Sequence, residues 1–482
     1  METKKNSTFS NVFWAYGERI TAQLITFVVS VVLSRILMPE SYGVVAIVVV
    51  FIAICDALVT GGFGNALIQK KDSNDMDFDS ICWLSITIAV LLYIVLFFSA
   101  PLIADFYCYN QLIPVIRVMG IRLIFSAFNS VQQAYVQKKM IFRVFFWATL
   151  SGTIISGIVG ISIALLGGGV WALVAQYMTN TVIDTIMLYI FIDWTPKFRI
   201  SIDSIRKLWK FGAKMLAATM VFTLKDNIRS LVIGRRFSAS DLAYYNQGKR
   251  YPSLMVDNVV ESLGKVLFPV LSEEQNTVES LKGHVRQSIQ ISSILLTPMI
   301  MGIIAVADTM VNVILTDKWM PCVPYLRILC LVYITRSINT ILQKAVLAIG
   351  KSGAFLFHEV ITSTLTVLMI FVAAYIFKSI EMIAWSYVVI MMLGTIIFAF
   401  FSKKYFKYRY FEIIADYFPS LIVSCVMALV VWGIGRIAIM TSIKLLIQII
   451  VGVIIYVCGV AVLDIPGYRF VRDKAIKILL KQ

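Results

Sequence analysis

Charge is scarce in this chain: 15% of its 482 residues are Asp, Glu, Lys or Arg, where a soluble domain carries about a quarter. Histidine is nearly absent, with His284 and His358 alone. The cysteines, Cys55, Cys82, Cys108, Cys322, Cys330, Cys425 and Cys458, show no paired metal-ligand spacing. A zinc or haem site is therefore not expected, nor any other metal or cofactor. Cys108 and Cys322 fall in expected outer loops, but spacing alone implies no disulfide between them. Long polar connectors are missing as well. No segment between apolar runs is long enough to hold a soluble catalytic domain, so the work of the protein is done within the membrane. Enzymatic motifs are equally sparse. "LLGGGVW", Leu165 to Trp171, lacks the Lys-Ser/Thr of a phosphate-binding loop and reads as a tight turn between helices. "DSNDMDFD", Asp72 to Asp79, has the acid content of a calcium loop without its spacing. No catalytic residue is assigned, and the chain is read as a non-enzyme.

What is present is apolar length. The chain is 59% hydrophobic, and runs of about 20 apolar residues suffice to cross a bilayer. Fourteen such runs are centred near positions 24, 56, 91, 125, 156, 181, 223, 260, 302, 336, 366, 391, 429 and 453, those near 223 and 260 carrying several charges. The expected fold class is all-α and integral to the membrane, with about 14 transmembrane helices. The N-terminus starts basic and turns apolar like a signal peptide, yet its apolar run is too long and shows no small-residue cleavage site, so it is read as a retained first helix.

The formal net charge of +16 would suit a nucleic-acid partner, but its placement argues otherwise. Alternate connectors hold Lys70, Lys71, Lys138, Lys139, Arg143, Lys197, Arg199, Lys351, Lys403 and Lys404, while the opposite side holds Arg235, Arg236, Lys318, Lys378 and Lys444. That asymmetry follows the positive-inside rule with both termini cytoplasmic. It leaves no call for nucleic acid, and the basic clusters suit the headgroups of membrane lipids.

An internal repeat organises the chain. "FWAYG", Phe13 to Gly17, resembles "LWKFG", Leu208 to Gly212; "SRILMPESYGV", Ser34 to Val44, resembles "GRRFSASDLAY", Gly234 to Tyr244. "FGNAL", Phe63 to Leu67, resembles "LGKVL", Leu263 to Leu267, and Pro114, Arg117, Asn129 and Gln133 recur as Pro324, Arg327, Asn339 and Gln343. Two pseudo-symmetric six-helix bundles follow, residues 1–200 and 201–405, the second opening on an amphipathic connector at Arg199 to Gly212. Residues 406–482 add helices 13 and 14 and a basic cytoplasmic tail. An even number of spans per copy makes the repeats parallel, and in such carriers substrate sites tend to lie between the halves.

An ionisable group at bilayer depth costs from about 2.5 to more than 10 kcal/mol unless it meets water or a partner. Those at such depth here are predominantly basic in the first, fourth, seventh and tenth spans, which points to an anionic substrate held by guanidinium groups. The cationic candidates are Arg19, Arg117, Arg122, Lys225, Arg229, Arg327 and Arg336, and the polar candidates Asn129, Gln133, Asn339 and Gln343. Some of these charges also suit structural pairs, such as Glu18 with Arg19, Asp226 with Arg229, and Glu261 with Lys265. Arg327 and Arg336, nine apart, point to opposite sides of one helix.

"NVFWAYGERITAQLITFVVSVVLSRILMPESYGVVAI", "GGFGNALIQKK", "LVIGRRFSASDLAYYNQGKRYPSL" and "LFPVLSEEQ" resemble the Wzx-type oligosaccharide flippases of the multidrug/oligosaccharidyl-lipid/polysaccharide exporter superfamily. The resemblance runs in order along nearly the whole chain. It implies alternating access and movement of an undecaprenyl-diphosphate-linked oligosaccharide from the inner to the outer leaflet of the bacterial cytoplasmic membrane, in partnership with other polysaccharide assembly proteins. It further implies ion-gradient coupling, for which Glu18, Asp226, Asp257 and Glu261 are the candidate carboxylates. One departure is visible: relatives carry an acidic residue five positions before the Gly-Arg of helix seven, where this chain has Arg229. A multidrug or small-solute antiporter on the same fold is the runner-up reading, with an acid-dominated cavity as its signature, and a membrane polysaccharide polymerase the third.

Overall fold

The computed structural model describes residues 17, 21–60, 62–70, 72–273, 277–470 and 472, with the side chains of 210, 211, 261, 263, 265, 266, 268, 270 and 273 outside that description. Every regular element among the described residues is helical. In chain order they are α1 (Thr21–Ile36), α2 (Pro39–Thr60), α3 (Phe63–Gln69), α4 (Asp75–Tyr107), α5 (Leu112–Gly120), α6 (Arg122–Lys139), α7 (Phe142–Leu165) and α8 (Val170–Phe191). Then come α9 (Ile202–Arg236), α10 (Ala239–Glu273), α11 (Val278–Leu315), a 3₁₀ turn (Asp317–Cys322), α12 (Val323–Ala348) and α13 (Ser352–Phe371). A π-helical turn (Val372–Ile376), α14 (Ile380–Phe406), α15 (Tyr410–Gly435) and α16 (Thr441–Val462) complete the order.

Ten helical stretches are long and apolar enough to cross a membrane: those formed by α2–α3, α4, α5–α6, α7, α11, α12, α13, α14, α15 and α16. The more polar α8, α9 and α10 fall outside that set, as does the shorter α1. Each expected span centre lies in a helix, because uninterrupted apolar length is a property of the chain itself. The amphipathic stretch Arg199 to Gly212 runs from Ile202 into α9, one continuous helix capped by Ser201 through the Ser204 amide at 3.3 Å.

Helix ends follow local chemistry. α4 opens with a capping box: the Asn74 side chain accepts from the Asp77 amide, and the Asp77 carboxylate accepts from the Asn74 amide. The turn between α7 and α8 is built on glycine, with Gly167 and Gly169 at φ +80° and +52°, a backbone that other residues adopt only under strain.

The chain divides into two compact units, Met1–Ala243 and Tyr244–Gln482. In the first, α7 pairs with α8, α4 packs on α5 and α6, and α2 packs on α9. Its core includes Phe63, Leu67, Phe78, Ile81, Val131 and Trp194. In the second, α11 is the centre, contacted by α12, α14, α15 and α16. Its core includes Leu281, Val285 and Ile289 of α11 together with Ile338, Leu342, Phe398 and Phe406. A buried hydroxyl ladder ties α15 and α16 to α11: Thr297 and Ser420 meet at 2.9 Å, Ser424 donates to Thr297 at 2.9 Å, and Ser420 meets Tyr456 at 2.8 Å. The outer faces of α15 and α16 remain apolar and exposed, at Leu429 and Leu446 for instance.

Candidate functional site

The fourth expected span, Leu112–Lys139, carries one local step, at which Ile121 keeps helical dihedrals. A one-residue step at Ile121 separates α5 from α6, placing Arg117 at the end of one helix and Arg122 at the start of the next. Gly120 lets α5 lie close to α4, since a Cβ there would lie 2.9 Å from the Tyr93 ring. The matching region of the second unit is a single helix, α12, with Arg327 and Arg336 inside it.

The two regions treat their arginines differently. Arg327 donates from Nη2 to Asp308 Oδ2 on α11 at 2.6 Å and from Nε to the Ile304 carbonyl at 3.4 Å. Arg336 Nε lies 3.0 Å from Asp257 Oδ1 on α10. These arginines use different neighbouring helices, as their nine-residue spacing requires. In the first unit, Arg117 lies over the Phe97 ring at 4.4 Å from its centroid. Arg122 donates from Nε to Thr181 Oγ1 at 2.8 Å and sits 6.0 Å from the Tyr177 ring, both on α8. Among the described residues neither Arg117 nor Arg122 has a carboxylate in salt-bridge range, although Asp56 lies within the field of Arg122.

The remaining candidates divide as follows. Lys225 is half-buried, Asp226 exposed and Arg229 buried at 6% exposure, all on α9 in the first compact unit. Gln133 donates to Asn129 one turn earlier on α6, whereas Asn339 donates to the Met391 carbonyl on α14 at 3.1 Å. Gln343 is half-buried on α12. Glu18, Arg19 and the side chain of Glu261 lie outside the described residues. All seven cysteines are free, Cys108 exposed and Cys322 buried.

Sequence reasoning missed an ionic cluster that joins α11 to α15. Asp416 Oδ1 accepts from Arg286 Nε at 2.8 Å and from Gln290 Nε2 at 2.7 Å, and Asp416 Oδ2 accepts from the Tyr408 hydroxyl at 2.9 Å. Burial and the nearby Asp416 carboxylate push the Tyr408 phenol well above its ordinary value. The i, i+4 spacing of Arg286 and Gln290 was the available signal, but it names no partner. Gln132, next to Gln133 on α6, is buried and donates to the Thr185 carbonyl on α8 at 3.4 Å.

Comparison with known proteins bears on this arrangement. The profile of the family described as polysaccharide biosynthesis protein matches residues 32–324. The chain is 23% identical over 380 residues to the teichuronic acid biosynthesis protein TuaB of Bacillus subtilis (strain 168), covering 78% of each chain. It is 22% identical to the lipopolysaccharide biosynthesis protein WzxC of Escherichia coli (strain K12), covering 70% of this chain and 68% of that one. It is 24% identical to the succinoglycan biosynthesis transport protein ExoT of Rhizobium meliloti (strain 1021), covering 67% and 65%. Among solved structures, the lipid II flippase MurJ in an inward closed conformation superposes with a TM-score of 0.77 at 14% identity, covering 93% of this chain and 98% of that one. An inward-facing multidrug resistance MATE family transporter of the MOP superfamily gives 0.62 at 14% identity, covering 82% and 95%. The fold is thus that of MurJ and the MATE transporters, in keeping with the motifs of the sequence. With more than half of its length matched by one profile, the chain belongs to the polysaccharide biosynthesis protein family.

Proposed function

We propose that this protein is a flippase that carries an undecaprenyl-diphosphate-linked oligosaccharide from the inner to the outer leaflet of the bacterial cytoplasmic membrane by alternating access. The observation that carries the reading is the pair Arg117 and Arg122. Each keeps its guanidinium among aromatic and hydroxyl groups without a salt-bridged carboxylate, while Arg327 and Arg336 are neutralised by Asp308 and Asp257. Two guanidinium groups without a salt-bridged carboxylate in an apolar span suit the oxygens of a diphosphate, to which arginine donates in bidentate fashion. The reading is further supported by the roles that the relatives' names carry, which lie in polysaccharide biosynthesis and transport.

The proposal includes fourteen spans, arranged as six-helix lobes at 1–200 and 201–405 with an appended pair at 406–482, and both termini cytoplasmic. Lys225, Arg229 and Arg19 are further candidates for the cationic surface, and Asn129, Gln133, Asn339 and Gln343 for contact with polar sugar. Asp226, Asp257, Glu18 and Glu261 are the coupling carboxylates, and other polysaccharide assembly proteins and membrane lipids are the partners.

The test is transbilayer movement of a short-chain polyprenyl-diphosphate oligosaccharide in proteoliposomes, with and without a pH gradient, for the intact protein and for Arg117→Ala and Arg122→Ala. Movement by the intact protein that both variants lose is the expected result. Equal movement by all three proteins would overturn the role given to these arginines.

A further inference from the structure

A cavity of about 380 Å³ opens in the first compact unit where three turns converge: the α1–α2 turn, the start of α5 and the glycine turn before α8. Its size falls in the range of roughly 300–1,000 Å³ that small-molecule sites occupy. Glu40, Ser41, Gln111 and Trp171 line it, with Gly168 and Gly169 bringing backbone close. No lysine or arginine contributes to the wall. Trp171 is 40% exposed, so part of its ring is open to a ligand.

The polar groups here are not engaged by the protein. Among the described residues, no hydrogen bond or ion pair takes up the Glu40 carboxylate, the Ser41 hydroxyl, the Gln111 amide or the Trp171 indole N–H. The internal repeat sharpens the point. In the second copy of the α1–α2 turn, the acid is Asp241, and its carboxylate is occupied, accepting from the Ser238 amide at 3.1 Å and the Ser238 hydroxyl at 2.7 Å. In the first copy, Met38 stands in place of Ser238 and Ser41 in place of Asp241, so that cap is not kept, and Glu40 falls opposite Ser240. The same end of the fold carries the finish of α4 and the start of α5, opposite to the basic turn where Lys70 pairs with Asp77.

We propose that this cavity is a subsite for a neutral pyranose ring. An indole face packs against the apolar C–H face of a sugar, and the indole N–H supplies a donor at its edge. Glu40 accepts from vicinal hydroxyls in charge-assisted bonds, while Gln111 and Ser41 both donate and accept. A carboxylate in a wall without lysine or arginine disfavours phosphate or a uronic acid, so an anionic sugar is the poorer ligand. The inference rests on the flippase reading and deepens it: the site would hold a sugar of the lipid-linked oligosaccharide close to the diphosphate, since Pro114 and Val115 of its wall stand within one turn of Arg117 on α5.

The experiment is fluorine NMR on the full-length protein in lipid nanodiscs, labelled with fluorotryptophan, the Trp171 signal being assigned by Trp171→Phe. The probes are the methyl glycosides of glucose, galactose and N-acetylglucosamine, with methyl glucuronide as the charged comparison. The Trp171 resonance should move saturably with at least one neutral glycoside and less with the glucuronide, and Glu40→Gln should weaken that response about tenfold. A resonance unmoved by all three neutral glycosides, a stronger response to the glucuronide, or an unchanged response in Glu40→Gln would each overturn the subsite. Transport of the lipid-linked substrate is read separately, so an absent sugar response with intact translocation removes this site and leaves the flippase reading standing.

Discussion

Arg336 and Asp257 form an ion pair between α12 and α10, with Nε 3.0 Å from Oδ1 and both side chains about one-third exposed, at 35% and 34%. Charge alone suggests separate roles for them, a substrate-binding cation and a coupling carboxylate, yet they are each other's partners. The pair is not deeply buried, so its net contribution is modest, about 1 kcal/mol. Removing one member should still disturb the other, because the remaining charge loses its counter-ion. Thermal unfolding in detergent should show Arg336→Ala and Asp257→Ala each lowered and the double variant no lower than the worse single. Strictly additive losses would mean the two groups do not interact in the folded protein.

Arg122 is aimed by α8. Its Nε is held by Thr181 Oγ1 at 2.8 Å, which leaves the terminal nitrogens to face outward from that contact. Thr181→Val keeps the shape of the side chain and removes the acceptor. If Arg122 grips the diphosphate, the variant should slow translocation several-fold while the melting temperature changes little, since a typical intramolecular hydrogen bond contributes only about 1 kcal/mol. Arg122→Lys should fall further, by roughly tenfold, because a lysine cannot offer the planar bidentate fork. Full activity in the lysine variant would reduce Arg122 to a point charge.

Tyr408 makes the α14–α15 turn of the second unit sensitive to alkali. Burial and the Asp416 carboxylate raise its folded-state pKa above the ordinary value of 10.0. A raised folded value means that the stabilisation is fully present below about pH 10 and is lost as the pH rises through the folded pKa. The intact protein should therefore lose melting temperature above pH 10 more steeply than Tyr408→Phe, which has no phenol to ionise. Parallel curves for the two proteins would show that Tyr408 ionises as freely folded as unfolded. At neutral pH the phenylalanine variant should be less stable by about 1 kcal/mol, having lost the bond from the hydroxyl to Asp416.

These relationships mark the boundary of what one-dimensional reading reaches. Helix positions were legible because an apolar run of spanning length has few other uses, and the paired motifs revealed the duplication. The glycine turn before α8 was legible because three consecutive glycines favour a turn over a helix. The step at Ile121, between Gly120 and Arg122, was not, because an isolated glycine is also tolerated inside a helix and marks no end by itself. Nor were the partners of Arg327 and Arg336: Asp308 lies on the preceding helix and Asp257 two helices back, so spacing along α12 could say only that the two arginines face different neighbours. The Asp416 cluster was hidden for the same reason, since Arg286 and Asp416 are 130 positions apart.

Gly43 tests whether the packing inside the first unit is as close as the structure has it. An ideal Cβ at this position would lie 1.8 Å from the Ala239 carbonyl oxygen and 2.3 Å from its carbon, so a methyl group would overlap backbone rather than a side chain that can turn aside. Overpacking of a core typically costs about 1–3 kcal/mol, and a backbone obstacle places this case at the upper end or beyond. Gly283 provides the comparison, because it is also helical yet has nothing within 4 Å of its Cβ position. There the alanine has no obstacle, and loss of glycine's backbone freedom should leave stability unchanged or raise it by about 0.5–1 kcal/mol. Gly43→Ala should accordingly lower the yield of folded protein and its melting temperature while Gly283→Ala does neither. Equal behaviour of the two variants would show that α2 and the start of α10 stand farther apart than this packing requires.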